Sequence, residues 1–99
     1  MDRYKIKDLP EQERPRERLE SYGPEALANS ELLAIILRTG TARQTAIELA
    51  SSLLGEFGSL KQLSRASIGE ICRVKGIGPA KACQIVSAFE LGRRSASYM

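Results

Sequence analysis

The segment Lys75-Gly76-Ile77-Gly78-Pro79 constrains this chain more than any other stretch. Two glycines around one branched apolar residue read as a tight turn. A proline directly after them suits the first position of a helix, where its missing N–H has no intrahelical partner anyway. Val74 before the turn and Ala82 after it complete the spacing: an apolar residue closing one helix, and a small one letting a second helix approach. Both Gly76 and Gly78 can take positive φ. Ile77 is expected to tuck inward and anchor the tip.

This is the pattern of a helix-hairpin-helix motif. Its consequence is a cluster of backbone N–H groups, from Gly76, Gly78, Ala80 and Lys81, at a helix N-terminus. Such a cluster binds an anion, helped by the positive end of the helix dipole. Lys75 and Lys81 flank it with point charge. A DNA phosphate meets these requirements, and no base-reading side chain is implied, so binding is expected to be independent of sequence. The expected phosphate-binding residues are Lys75, Gly76, Ile77, Gly78, Ala80 and Lys81. The plainer alternative is a turn used only for packing. Ile77, Ala82, the two lysines and the charge distribution favour the anion site.

Charge is unevenly placed. Residues 1–22 carry six basic and six acidic groups, and residues 23–66 carry four of each. Residues 67–99 carry Arg73, Lys75, Lys81, Arg93 and Arg94 against Glu70 and Glu90, so the whole net charge of +3 sits in the last third. A basic excess on one element is the footprint expected of a polyanion partner.

Ninety-nine residues make one small domain. There is no histidine, which removes Ser-His and Cys-His nucleophilic sites and mixed-histidine zinc sites. Cys72 and Cys83 are too few for a zinc site and read as small buried apolar side chains. The acidic residues are scattered among basic neighbours, without paired catalytic carboxylates. Tyr4, Tyr22 and Tyr98 do not interleave with the basic patch, which argues against base stacking. A non-enzyme is expected, with no cofactor. The longest apolar run, Leu32 to Leu37, is far too short to span a membrane. The N-terminus lacks the apolar region of a signal peptide, so the expected location is cytoplasmic.

The expected fold is all-α, a small bundle of five or six short helices. Residues 1–15 read as an extended lead-in. Pro15 opens a helix that Gly23-Pro24 stops, and Glu25 to Ala28 forms a short turn. Asn29 or Ser30 caps a helix running from Leu32 to Arg38, apolar nearly all round and hence buried. Thr39-Gly40-Thr41 ends it, and Ala42 to Leu54 follows with the stripe Ala46, Leu49, Ala50, Leu53 and Leu54. Gly55 and Gly58 break that helix. Ser59 caps Leu60 to Ser64, Ser67 caps Ile68 to Val74, and the last helix runs from Pro79 to about Arg93.

The halves match when residue i is set against residue i+36: Ile35 with Ile71, Gly40 with Gly76, Ala46 with Ala82, Leu49 with Ile85, Ser51 with Ser87. Each half reads helix, Gly-containing hairpin, longer helix. The expected organisation is therefore an N-terminal extension over residues 1–28 and a tandem helix-hairpin-helix domain, SAM-like or RuvA-domain-2-like, over residues 29–99. Its first unit, residues 29–66, is degenerate, with Thr41-Ala42 where the second, residues 67–99, has Ile77-Gly78. Thr39, Gly40, Thr41 and Arg43 are its expected secondary DNA contacts.

Four segments, Arg14 to Leu19, Asn29 to Gly40, Val74 to Ala82 and Glu90 to Arg94, together resemble the N-terminal region of the RadC-like family, once named for DNA repair. The resemblance implies a DNA-associated role and a C-terminal JAMM metalloprotease-like domain as partner in a full-length protein. That domain's two zinc-binding histidines have no counterpart here, so no metal or catalytic residue carries over. Hairpins of this type often hold a monovalent cation on loop carbonyls, here those of Lys75, Ile77 and neighbours.

Two functions compete. One is a DNA-backbone-binding module for duplex or junction. The other is a scaffold, with the apolar Leu32–Leu37 helix and the Arg14-Pro15-Arg16 lead-in docking a partner domain or a second copy. A helix-hairpin-helix glycosylase fails on length.

Overall fold

A computed structural model describes residues 14–97. Over that range the chain folds into α1 (Pro15–Tyr22), one 3₁₀ turn (Pro24–Ala26), α2 (Asn29–Leu37), α3 (Ala46–Phe57), α4 (Leu60–Ser64), α5 (Ile68–Ile71) and α6 (Pro79–Ser97). The described residues hold no strand, so the all-α expectation stands. Most of the extended lead-in, with Tyr4 and Tyr98, lies outside the described residues.

Local signals set most of the boundaries. Pro15 opens α1, and Gly23, at φ 84, closes it. The hydroxyls of Ser59 and Ser67 accept from the amides of Gln62 and Glu70, each at 3.1 Å, and cap α4 and α5.

Other boundaries differ from the sequence reading. Ala28, not Asn29 or Ser30, leads into α2, because the Glu31 carboxylate reaches back and accepts from the Ala28 amide at 3.0 Å. α3 starts at Ala46 rather than Ala42. Thr45 Oγ1 accepts from the Glu48 amide at 3.0 Å while Glu48 accepts from the Thr45 amide at 2.9 Å, a reciprocal cap that fixes the start. Gly55 sits inside α3, and Gly58, at φ 86, ends it in the left-handed conformation. α5 is a single turn ending at Ile71 rather than Val74, and α6 runs four residues past Arg93 to Ser97.

The core is shared by all the elements from α2 onward. Leu33, Ala34 and Leu37 of α2 pack with Ala46, Leu49, Ala50 and Leu53 of α3. Leu63, Ile71, Ile77, Ala82 and Ile85 complete it. Two pairs 36 residues apart, Ala46 with Ala82 and Leu49 with Ile85, are all at most 1% exposed. The cysteines depart from expectation: Cys72 is half-buried and Cys83 exposed. Cys83 follows Ala82 by one residue, about 100° around the helix, which turns it off the buried stripe. Among the described residues no helix is long and apolar enough to cross a membrane.

Candidate nucleic-acid interface

The second hairpin is built from the end of α5 upward. After Ile71 the chain tightens into successive turns, with Arg73 N–H donating to Glu70 C=O at 3.2 Å and Val74 N–H to Ile71 C=O at 3.1 Å. A further turn closes through Ile77 N–H to Val74 C=O at 3.0 Å. Gly76 stands third in it, at φ 94, the place where a positive φ calls for glycine. A Cβ on Gly76 would lie 3.0 Å from both Leu49 Cδ1 and Thr41 Cγ2, so the first hairpin packs directly against this backbone. Ile77 is 4% exposed and enters the core, anchoring the tip.

Gly78 behaves differently from the sequence expectation. It is not among the positive-φ residues. A Cβ there would meet nothing within 4 Å, so its side faces open space. The first backbone bond of α6 is Ala82 N–H to Gly78 C=O at 3.0 Å, which makes Gly78 its cap residue. The amides of Gly76, Gly78, Ala80 and Lys81 make no hydrogen bond among the described residues. Here α6 differs from α3, α4 and α5, whose capping hydroxyls come from Thr45, Ser59 and Ser67. A Gly-Pro start provides no such group, and leaves the positive end of a 19-residue helix open at the surface. The carbonyls of Lys75 and Ile77 likewise accept no backbone bond among the described residues.

The two lysines part company. Lys75 is exposed and without an ion pair among the described residues. The Lys81 ammonium is turned away from the tip, donating to Leu37 C=O at 3.0 Å and Thr39 Oγ1 at 2.9 Å. It neutralises the negative end of α2 and ties the hairpins together. Lys81 therefore offers an anion its amide, and its side chain is not the flanking point charge expected from sequence. Part of the C-terminal charge excess also cancels internally. Glu90 pairs with Arg93 at 3.2 Å and Arg94 at 3.0 Å. These hydrogen bonds, Arg94's first, hold the Glu90 carboxyl below its ordinary pKa. Arg93 also donates to Ser64 C=O at 3.0 Å.

The first hairpin has a different character. Thr39 N–H donates to Leu37 C=O at 2.8 Å across Arg38, whose φ of 70 and ψ of −47 make a γ-turn of the rarer hand. Such a backbone costs about 1–3 kcal/mol. Thr41 Oγ1 accepts from the amides of Arg43 at 3.2 Å and Gln44 at 3.1 Å, and Thr41 N–H donates to Gln44 C=O at 2.8 Å. Gly40 is required because any Cβ would collide with the Gln44 carbonyl and the Thr45 backbone. Of the expected secondary contacts, Thr39 and Thr41 are brought against the second hairpin, at Lys81 and Gly76 respectively. The amides of Thr39, Thr41 and Arg43 are already bonded within the loop, which leaves the exposed Arg43 side chain as its available cation.

Sequence reading missed a groove of about 570 Å³ between the start of α1 and the first hairpin, lined in part by Arg14, Arg16 and Arg38. The signal was present in the Arg14-Pro15-Arg16 run. Its partner, Arg38, comes from a loop that sequence alone does not fold back.

The UPF0758 N-terminal family matches residues 6–83. A UPF0758 protein of Clostridium botulinum (strain Hall) is 57% identical over 95 residues, covering 96% of this chain and 42% of that protein. A UPF0758 protein of Methanosarcina barkeri (strain Fusaro) is 48% identical over 99 residues, covering 100% of this chain and 43% of its own. The chain thus spans about two fifths of the length of these curated relatives. No solved structure matches it.

Proposed function

The chain belongs to the UPF0758 family, whose N-terminal region it spans, and from there we propose that it is a DNA-backbone-binding module of RadC-like type, with no chemistry of its own. The observation that carries this is the open start of α6: four amides without acceptors around Gly78, beside the exposed Lys75. A phosphate oxygen suits such a cluster at a helix N-terminus. Contacts are to phosphate and not to bases, so duplexes and junctions of unrelated sequence bind alike, at the weak end of the 10⁻⁴ to about 10⁻⁶ M range. A tandem arrangement of two hairpins, α2–α3 and α5–α6, underlies the module. A monovalent cation on the Lys75 and Ile77 carbonyls would add positive charge beside the phosphate. We further propose, from the RadC-like resemblance, a C-terminal JAMM-type domain as its partner in a longer protein and a cytoplasmic setting.

The test is an amide-resolved titration with short duplex DNA at low salt. The resonances of Gly76, Gly78, Ala80 and Lys81 are expected to move first and furthest. If no amide responds, the reading is wrong.

One observation favours the scaffold reading as well. An apolar groove of about 220 Å³ runs between Leu32, Ile36, Leu60 and Phe89. Sedimentation checks it: mass that rises with concentration and ignores DNA would favour docking.

A further inference from the structure

The geometry points to a second binding site, in which the groove between α1 and the first hairpin takes one unpaired nucleotide strand continuing from a phosphate held on the second hairpin. The inference rests on the backbone-binding reading for its starting point and on the groove for everything else. A volume of about 570 Å³ suits a ligand of nucleotide size. Its walls carry Arg16 and Arg38, with Glu17 as the acidic neighbour, 3.7 Å from the Arg16 guanidinium. Arg16 has 78% of its side chain in solvent, so that pair leaves it free to turn. Arg38 makes no ion pair among the described residues, and its γ-turn sets it in the groove wall. A guanidinium can fork onto a phosphate or lay its plane on an unpaired base. The half-buried Ile35 also lines the groove and offers an apolar surface for the face of a base.

Continuity decides what kind of polymer this is. Thr39 and Thr41 border the groove on one side and touch Lys81 and the Gly76 backbone on the other. A strand held at the Gly76–Lys81 amides that crosses Thr39 and Thr41 enters the groove. An acidic peptide would satisfy the arginines but would have no reason to begin at a phosphate site.

The experiment compares a blunt duplex, the same duplex with a short thymidine tail, and free oligothymidine, each titrated into the chain with amide resonances followed. The tail is expected to tighten binding about fivefold, or about 1 kcal/mol, and to move the amides of residues 38–45 further than the blunt duplex does. Arg16→Gln, on an exposed turn of α1, and Arg38→Gln are each expected to reduce that gain and spare blunt-duplex affinity. Movement at 38–45 without movement at 76–81 would retire the hairpin reading and keep the groove. Movement at 76–81 alone, with no gain from the tail, would overturn the groove. So would a gain that survives both substitutions, or oligoglutamate moving residues 38–45 as strongly as the tail does.

Discussion

Gly76 and Gly78 stand two residues apart and are held to glycine by different constraints. Gly76 combines a φ of 94 with neighbours at 3.0 Å from any added Cβ. The left-handed backbone alone costs an alanine roughly 1–2 kcal/mol, and Leu49 and Thr41 must also give way. Gly76→Ala is therefore expected to melt about 5–15 °C lower than the parent, measured by circular dichroism. Gly78 has ordinary φ and empty space beside it. Its substitution tests the site and not the fold. Gly78→Asp supplies the cap that α6 lacks and complements its dipole, which stabilises by about 0.3–1 kcal/mol. The same carboxylate occupies the anion position. Thermal stability should rise while duplex affinity falls tenfold or more, about 1.4 kcal/mol. A stabilised variant that still binds DNA like the parent would remove these amides from the interface.

At the scale of the element, what was legible followed what was local. Ser59, Ser67, Pro15 and Pro79 mark their helix starts in the sequence because a cap is a contact over three residues. The start of α3 was not legible: Thr41 and Thr45 both carry capping hydroxyls, and only the packing of the loop decides which opens the helix. Lys81 was misread for a similar reason. Its spacing places it beside the hairpin tip, but its ammonium finds the end of α2, 44 residues back. This separates the two lysines experimentally. Lys81→Gln is expected to lower stability by about 1 kcal/mol, seen in urea unfolding, and Lys75→Gln to leave it unchanged. For DNA binding the order reverses, with Lys75→Gln flattening the salt dependence by about one unit of slope. The α5 cap adds a pH test. The hydrogen bond from the Ser67 amide, chiefly, holds the Glu70 carboxyl below its ordinary value of 4.5. The unfolded chain then binds more protons in that window, so the stabilisation is complete above the ordinary value and is lost as pH falls through the folded one. Glu70→Gln should show a shallower decline of the urea midpoint on acidification than the parent. Equal slopes would mean the cap contributes nothing in solution.

The whole molecule presents its free positive groups unevenly, and this bounds how it can hold a polyanion. Arg93 and Arg94 are tied to Glu90, and Lys81 to the end of α2. Exposed near the hairpin tip are Lys75, the four amides and, from the first hairpin, Arg43, while Arg73, two residues before Lys75, acts on the Glu70 carboxylate. Amides neutralise no charge, so only the cations displace condensed counterions in number. With two phosphates engaged, the logarithm of affinity should fall against the logarithm of salt with a slope of about −2, a loss of roughly tenfold between about 50 and 200 mM. That is far less than a protein with a continuous basic face would show, although the formal net charge is the same whether or not the arginines are paired. The slope should also be the same for duplexes of unrelated sequence, because nothing at the tip reads a base edge. Fluorescence anisotropy across that salt range measures both quantities. A slope much steeper than −2 would mean that the paired arginines of α6 let go of Glu90 when DNA arrives, and that the helix flank, not the hairpin tip, carries the interaction. A slope near zero would leave the amide cluster without a phosphate.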